Sequence, residues 1–229
     1  MTTNAGLGTN DDFTNALGHR VLVLDGAMGT MIQKYKLDES DFRGKRFSEW
    51  KQPLKGCNDV LVLTKPEIIS EIHRAYIEAG ADIIETNSFN ANAISLADYG
   101  LADMVKGINI TAARVARQCA DSCNRKCWVA GSIGPTNRSL SISPSVENPA
   151  LRNLSWDELT ETYCDQISGL IEGGVDILLI ETVFDTLNAK AALWAANKVM
   201  NDTGKKLPIM VSATLTESGR ILSGQTIEA

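Results

Sequence analysis

The chain has 229 residues, with 22 Lys and Arg against 28 Asp and Glu, a formal charge of −6, and 44% hydrophobic and 22% charged residues. That is a globular composition, long enough to bury a full core. An acidic chain with no Lys/Arg cluster lacks the electrostatic footprint of a phosphate-backbone binder, which excludes nucleic acid, and its longest apolar run, Ala191–Ala196, falls far short of the ~18 residues of a membrane span.

The polar segment Met1–Arg20 has no basic patch followed by an apolar core, so it is not a secretory signal. Five cysteines without framework spacing fit a reducing compartment, and the expected location is the cytoplasm. Residues 1–19 read as a leader and 20–229 as the folded domain.

Five runs rich in β-branched and aliphatic residues predict buried parallel strands: Arg20–Leu24, Ala81–Glu85, Trp128–Ile133, Val175–Glu181 and Pro208–Leu215. Helical patterns lie between them, at Glu67–Ala79, Ala102–Ser122, Trp156–Gly173 and Thr186–Asn201. Within the last of these, Leu187, Ala191, Trp194 and Ala195 read as a core-facing stripe. Thr64 to Glu67 and Ser155 to Glu158 have capping-box spacing, and Gly80 and Gly173-Gly174 mark helix ends. The insertions Met31–Leu63 and Asn137–Leu154 each follow a strand, and Val60–Leu63 reads as one arm of a small hairpin.

Strands alternating with helices make an α/β fold with a parallel sheet. No G-x-G-x-x-G or P-loop follows any strand, while four strand ends run into polar or Gly-bearing stretches. That favours a (β/α)8 TIM-type barrel, which spreads its chemistry over many strand ends. Such a barrel needs eight strands in about 250 residues. Only five are legible, so the expectation is a barrel truncated after about the fifth strand and lacking its last three βα units.

Candidate chemistry gathers at those strand ends. Asp25-Gly26-Ala27-Met28-Gly29-Thr30 leaves a strand into a turn whose amides can cradle a small anion, or in which Asp25 only bonds the backbone. Gly80–Phe89 and Gly174–Phe184 echo each other, and each ends an apolar strand on a glutamate, Glu85 or Glu181. A carboxylate behind such a strand needs a partner: a ligand ammonium, an Arg, a backbone donor or a structural ion pair. Asn87 has the chemistry to bond a ligand or cap a turn. Cys119, Cys123 and Cys127 lack the second pair or His partners of a zinc site and read as free thiols, with Cys57 and Cys164 as packing residues. His19 and His73 belong to no nucleophile–His arrangement.

Taken together, LDGAMGTMIQ (Leu24–Gln33), ADIIETNSFNAN (Ala81–Asn92), VAGSIGPTN (Val129–Asn137), DILLIETVFDTLNAKAAL (Asp176–Leu193) and PIMVSATLTESGRILSGQTIEA (Pro208–Ala229) resemble the homocysteine-binding domain of the cobalamin-dependent methionine synthases. The resemblance runs from about Gly18 to the end. It implies homocysteine held at the top of a barrel and a methyl group passed to its thiol from methylcobalamin, which is recharged by 5-methyltetrahydrofolate.

It further implies a thiol-activating zinc whose cysteine ligands are expected beyond residue 229. Cobalamin and folate would be bound by other modules of the full-length chain. By the same resemblance, Gly26, Ala27, Met28 and Gly29 supply backbone donors to the substrate carboxylate, Glu181 accepts from its ammonium, Asp25 shapes the turn, and Glu85 and Asn87 line the same face. The alternatives are a betaine- or S-methylmethionine-dependent homocysteine methyltransferase and a fragment inactive for want of zinc ligands. A partial barrel exposes open edges, so poor stability or association, and no stoichiometric zinc, are expected of residues 1–229 alone.

Overall fold

A computed structural model describes residues 9–228. In chain order the helices are α1 (Thr9–His19), α2 (Met28–Gln33), α3 (Glu39–Arg43), α4 (Leu61–Thr64), α5 (Pro66–Glu78), α6 (Ala93–Leu96), α7 (Val105–Asp121), α8 (Trp156–Gly173) and α9 (Thr186–Thr203), and the strands are β1 (Ile83–Glu85), β2 (Trp128–Ile133), β3 (Ile177–Val183) and β4 (Ile209–Ala213). The strands form one parallel sheet in the order β1-β2-β3-β4. A doubly wound sheet reverses its strand order at a switch point. Here neighbours in sequence are neighbours in space, which is consistent with a partial TIM-type barrel.

Alternation along the strands sorts side chains into two layers. Ile84, Val129, Ile133, Leu178 and Ile180 pack outward under α7, α8 and α9. Ile83, Trp128, Ala130, Ile177 and Leu179 point to the other face, where Phe13 of α1 joins them. Its ring meets Trp128 edge to face, with centroids 5.7 Å apart. The leader's described part is thus a helix sealing the N-terminal ends of the strands.

The two echoing segments share one anchoring device. Asp82 and Asp176, each just ahead of its strand, accept from a backbone amide of the preceding strand segment, Val23 N at 3.0 Å and Val129 N at 2.8 Å. Each also pairs with arginine: Asp82 with Arg20 and Arg125, Asp176 with Arg117.

Several expectations are corrected. Arg20–Leu24 is extended beside β1 but forms only the single parallel bridge Leu24↔Ile83; Val21 and Val23 are exposed and the Asp82 carboxylate takes the Val23 amide. Val60–Leu63 is no hairpin: Asn58–Val60 is a 3-10 turn leading into α4, and Val60, Leu61 and Val62 are buried in a second core between α5, α7 and the insertion. Thr64 closes α4 and Lys65 is the residue before α5, with no side-chain cap, so of the two expected capping boxes Ser155–Glu158 forms and Thr64–Glu67 does not. Ala191 and Ala195 are buried, but Leu187 and Trp194 are exposed, Trp194 to 47%; the core-facing stripe runs instead through Asn188, Ala192, Ala196 and Val199. Among the described residues, no helix is long and apolar enough to cross a membrane.

Candidate functional site

The alternation that buries Ile83, Ala130 and Leu179 continues one step to Glu85, Ser132 and Glu181. These three therefore stand above the apolar layer at the C-terminal ends of β1, β2 and β3. They line a cavity of about 250 Å³ together with Asp25, Gly26, Ala27, Met28, Gly29 and Asn87. The structure thus brings all eight residues singled out in the sequence to one place.

Asp25 does both things its sequence context left open. One carboxylate oxygen accepts from the Glu85 amide at 3.1 Å, stitching the first extended segment to β1, and the other is buried without a partner among the described residues. The turn that follows rests on α5: a Cβ at Gly26 would come within 3.1 Å of the Tyr76 hydroxyl, so a side chain there crowds Tyr76 unless its ring gives way. Ala27 stands before α2 and offers no side-chain cap, which leaves the first-turn amides without a side-chain acceptor. Asn87 donates to the Asn58 carbonyl at 2.8 Å, tying β1 to the insertion.

Glu181 is held by the Ser132 hydroxyl, which donates to its carboxylate. The pairing register of β3 shifts around it. Thr182 has φ 58° and sits in a bulge between the pairings of Ile180 and Val183, a strained conformation for a β-branched residue.

Sequence reasoning passed over Asn58, Asp59 and Ser132, which also line the cavity. Asp59 is buried and accepts from the Asn90 amide at 3.0 Å. Asn58 and Asp59 come from an insertion whose docking no local pattern announces. Ser132 was within reach, since it lies two residues from Ala130 on an alternating strand.

The electrostatics have one sign. No Lys, Arg or His among the described residues lines the cavity. Burial pushes the Asp25 carboxyl up to about 7, with repulsion from Glu181 adding to it. Burial and then repulsion from Glu181 and Asp25 push Glu85 up to about 8. Burial also raises Asp59, to about 6, and raises Glu181 against the opposing Ser132 hydrogen bond. Such a cavity favours a cationic group of a ligand and resists a free anion unless backbone donors receive it.

Other titratable groups stand apart. His73 is fully buried, both ring nitrogens lack partners among the described residues, and burial lowers it to about 4. Burial pushes the Cys57 thiol up to about 12 and that of Cys127 to about 11. All five cysteines are free.

A model of the homocysteine S-methyltransferase family matches residues 22–229. The chain belongs to that family. Its fold is similar to that of the homocysteine methyltransferase MmuM from Escherichia coli. The metallated form of that protein gives 22% identity and a TM-score of 0.68 over 92% of this chain and 69% of that one. The oxidized form gives 21% and 0.71 over 95% and 70%.

Homocysteine S-methyltransferases are zinc-dependent in general. The described residues do not fit that metal: the cavity offers carboxylates and amides but no thiolate or imidazole, and no group of three His, Cys, Asp or Glu side chains is placed to hold an ion.

Proposed function

We propose that this chain is the homocysteine-binding part of a cobalamin-dependent methionine synthase. The observation that carries the reading is the cavity itself, in which acidic groups and side-chain-free backbone converge from three strand ends and the turn after the first extended segment. An amino-acid zwitterion supplies what that arrangement lacks. Glu181, oriented by Ser132, accepts from the ammonium, and the Gly26–Gly29 amides donate to the carboxylate. Asp25 fixes the turn to β1, while Glu85 and Asn87 close the wall.

The reaction class is methyl transfer to sulfur: the methyl–donor bond breaks, the S–C bond forms and the thiol proton departs. This chain's share is to bind and orient the acceptor. We place catalysis in a larger assembly that adds the zinc ligands and the folate and cobalamin modules to this cavity. The preference for a cobalamin donor rests on the LDGAMGTMIQ and DILLIETVFDTLNAKAAL stretches. A betaine or S-methylmethionine donor would use the same cavity, and a methyl-transfer assay of the full-length protein with each donor separates the two.

The direct test is homocysteine affinity by titration calorimetry. Glu181→Gln removes a charge-assisted hydrogen bond worth about 1.5–3 kcal/mol, so the dissociation constant should rise about tenfold or more. An unchanged constant removes Glu181 from the ligand shell. Both are measured in a protein containing the complete domain, and a wild-type form of it that binds no homocysteine overturns the reading as a whole.

A further inference from the structure

Beyond Glu85↔Ala130, the last paired residues of β1 and β2, and the bond from Thr86 N to the Ala130 carbonyl at 2.9 Å, the two strand ends part. Side chains then set their spacing. The Thr86 and Ser88 hydroxyls share a hydrogen bond of 2.6 Å, Thr86 accepts from the Ser132 amide at 2.9 Å, and Ser88 donates to the Ser132 carbonyl at 2.8 Å.

Gln166 reaches this junction from behind. It lies in the middle of α8, is fully buried, and its Nε2 donates to the Ser88 carbonyl at 2.9 Å and the Ser132 carbonyl at 3.4 Å. Its Oε1 has no partner among the described residues. A buried amide with an unmet acceptor stabilises a core less than an apolar side chain of the same length. Its position, between the two strand ends that flank the cavity, is the better account of its presence.

We propose that Gln166 is a positioning residue for the cavity: its amide fixes the gap between the ends of β1 and β2 and thereby holds the Ser132 hydroxyl on Glu181. Buried Asn109 of α7 acts on the same loop, donating to the Ala91 carbonyl at 2.7 Å. The inference rests on the proposed function only in treating the cavity as the substrate site.

The test compares Gln166→Met, Gln166→Glu and the control Ile167→Ala in the intact chain. Melting temperature, the titration of the Glu181 carboxyl by carbon NMR, and homocysteine affinity are the readouts. Gln166→Met should keep or raise the melting temperature. It should also move the Glu181 titration to higher pH, because the Ser132 hydrogen bond that opposes the effect of burial is loosened while Asp25 and Glu85 remain. Homocysteine affinity should fall at least fivefold. Gln166→Glu, its buried carboxyl protonated and still donating to one carbonyl, should restore part of both effects.

Ile167→Ala should lower the melting temperature and leave the Glu181 titration in place. A Glu181 titration unmoved in Gln166→Met, or moved equally by Ile167→Ala, overturns the proposal. The NMR readout needs no ligand, so it decides the role of Gln166 even if wild-type protein binds no homocysteine and the functional reading falls.

Discussion

Glu85 makes the acidic cavity measurable through stability. Its folded-state value of about 8 lies above its ordinary 4.5, so over the interval between them the folded chain holds a proton that the unfolded chain has released. Its contribution is complete below pH 4.5 and is lost as pH rises through 8. Moving a carboxyl that far corresponds to at most about 5 kcal/mol. Glu85 is only partly buried and faces the cavity, so water and counter-ions reduce this to about 2 kcal/mol between pH 5 and pH 8.

Glu85→Gln keeps the shape and removes the ionisation. Urea unfolding followed by circular dichroism at pH 5, 6, 7 and 8 should show wild type losing about 2 kcal/mol more than the variant across that range. Asp59 titrates in both proteins, so the difference reads Glu85 together with its repulsion from Glu181 and Asp25. Parallel pH profiles would refute the claim that Glu85 is held in an unfavourable, desolvated cluster.

Three further outcomes follow from the geometry. Asp82 is held down to about 2, first by its hydrogen bond from Arg20 and further by the Val23 amide and Arg125; Asp82→Ala should cost about 3 kcal/mol in urea unfolding at pH 7, and the wild-type advantage should shrink as pH falls from 4 toward 2. Gly134→Ala places a Cβ against the Phe89 carbonyl and ring, and this overpacking should cost about 1–3 kcal/mol in the same assay. Thr182→Gly relieves a left-handed β-branched residue and should raise stability by about 1 kcal/mol, with the gain read from a shifted urea midpoint at unchanged slope.

The strands that were legible in the sequence are those whose apolar residues continue on both faces. Trp128–Ile133 stands as expected and is buried throughout, and β1, β3 and β4 lie within or close to the expected runs. Arg20–Leu24 has strand-like composition, yet it makes a single bridge and the Asp82 carboxylate occupies its Val23 amide, a long-range contact that no local pattern announces. Val60–Leu63 shows the reverse failure: four apolar residues in a row suit a strand or a buried helix equally, and burial from all sides decided for helix.

The site residues were legible because carboxylates at the ends of apolar strands are costly and therefore conspicuous. Asp59 was not, because its burial depends on how a 33-residue insertion, Met31–Leu63, folds across the barrel mouth. Gln166 looks like any polar residue on an amphipathic helix until α8 is seen against the strand ends.

The edge-to-face packing of Phe13 on Trp128 places α1 at the pole remote from the cavity. A fluorophore or surface tether joined at an exposed position of α1, such as Leu17, therefore leaves the mouth unobstructed. Immobilised protein can then be titrated with small thiols while the carboxylate wall stays untouched by the attachment chemistry.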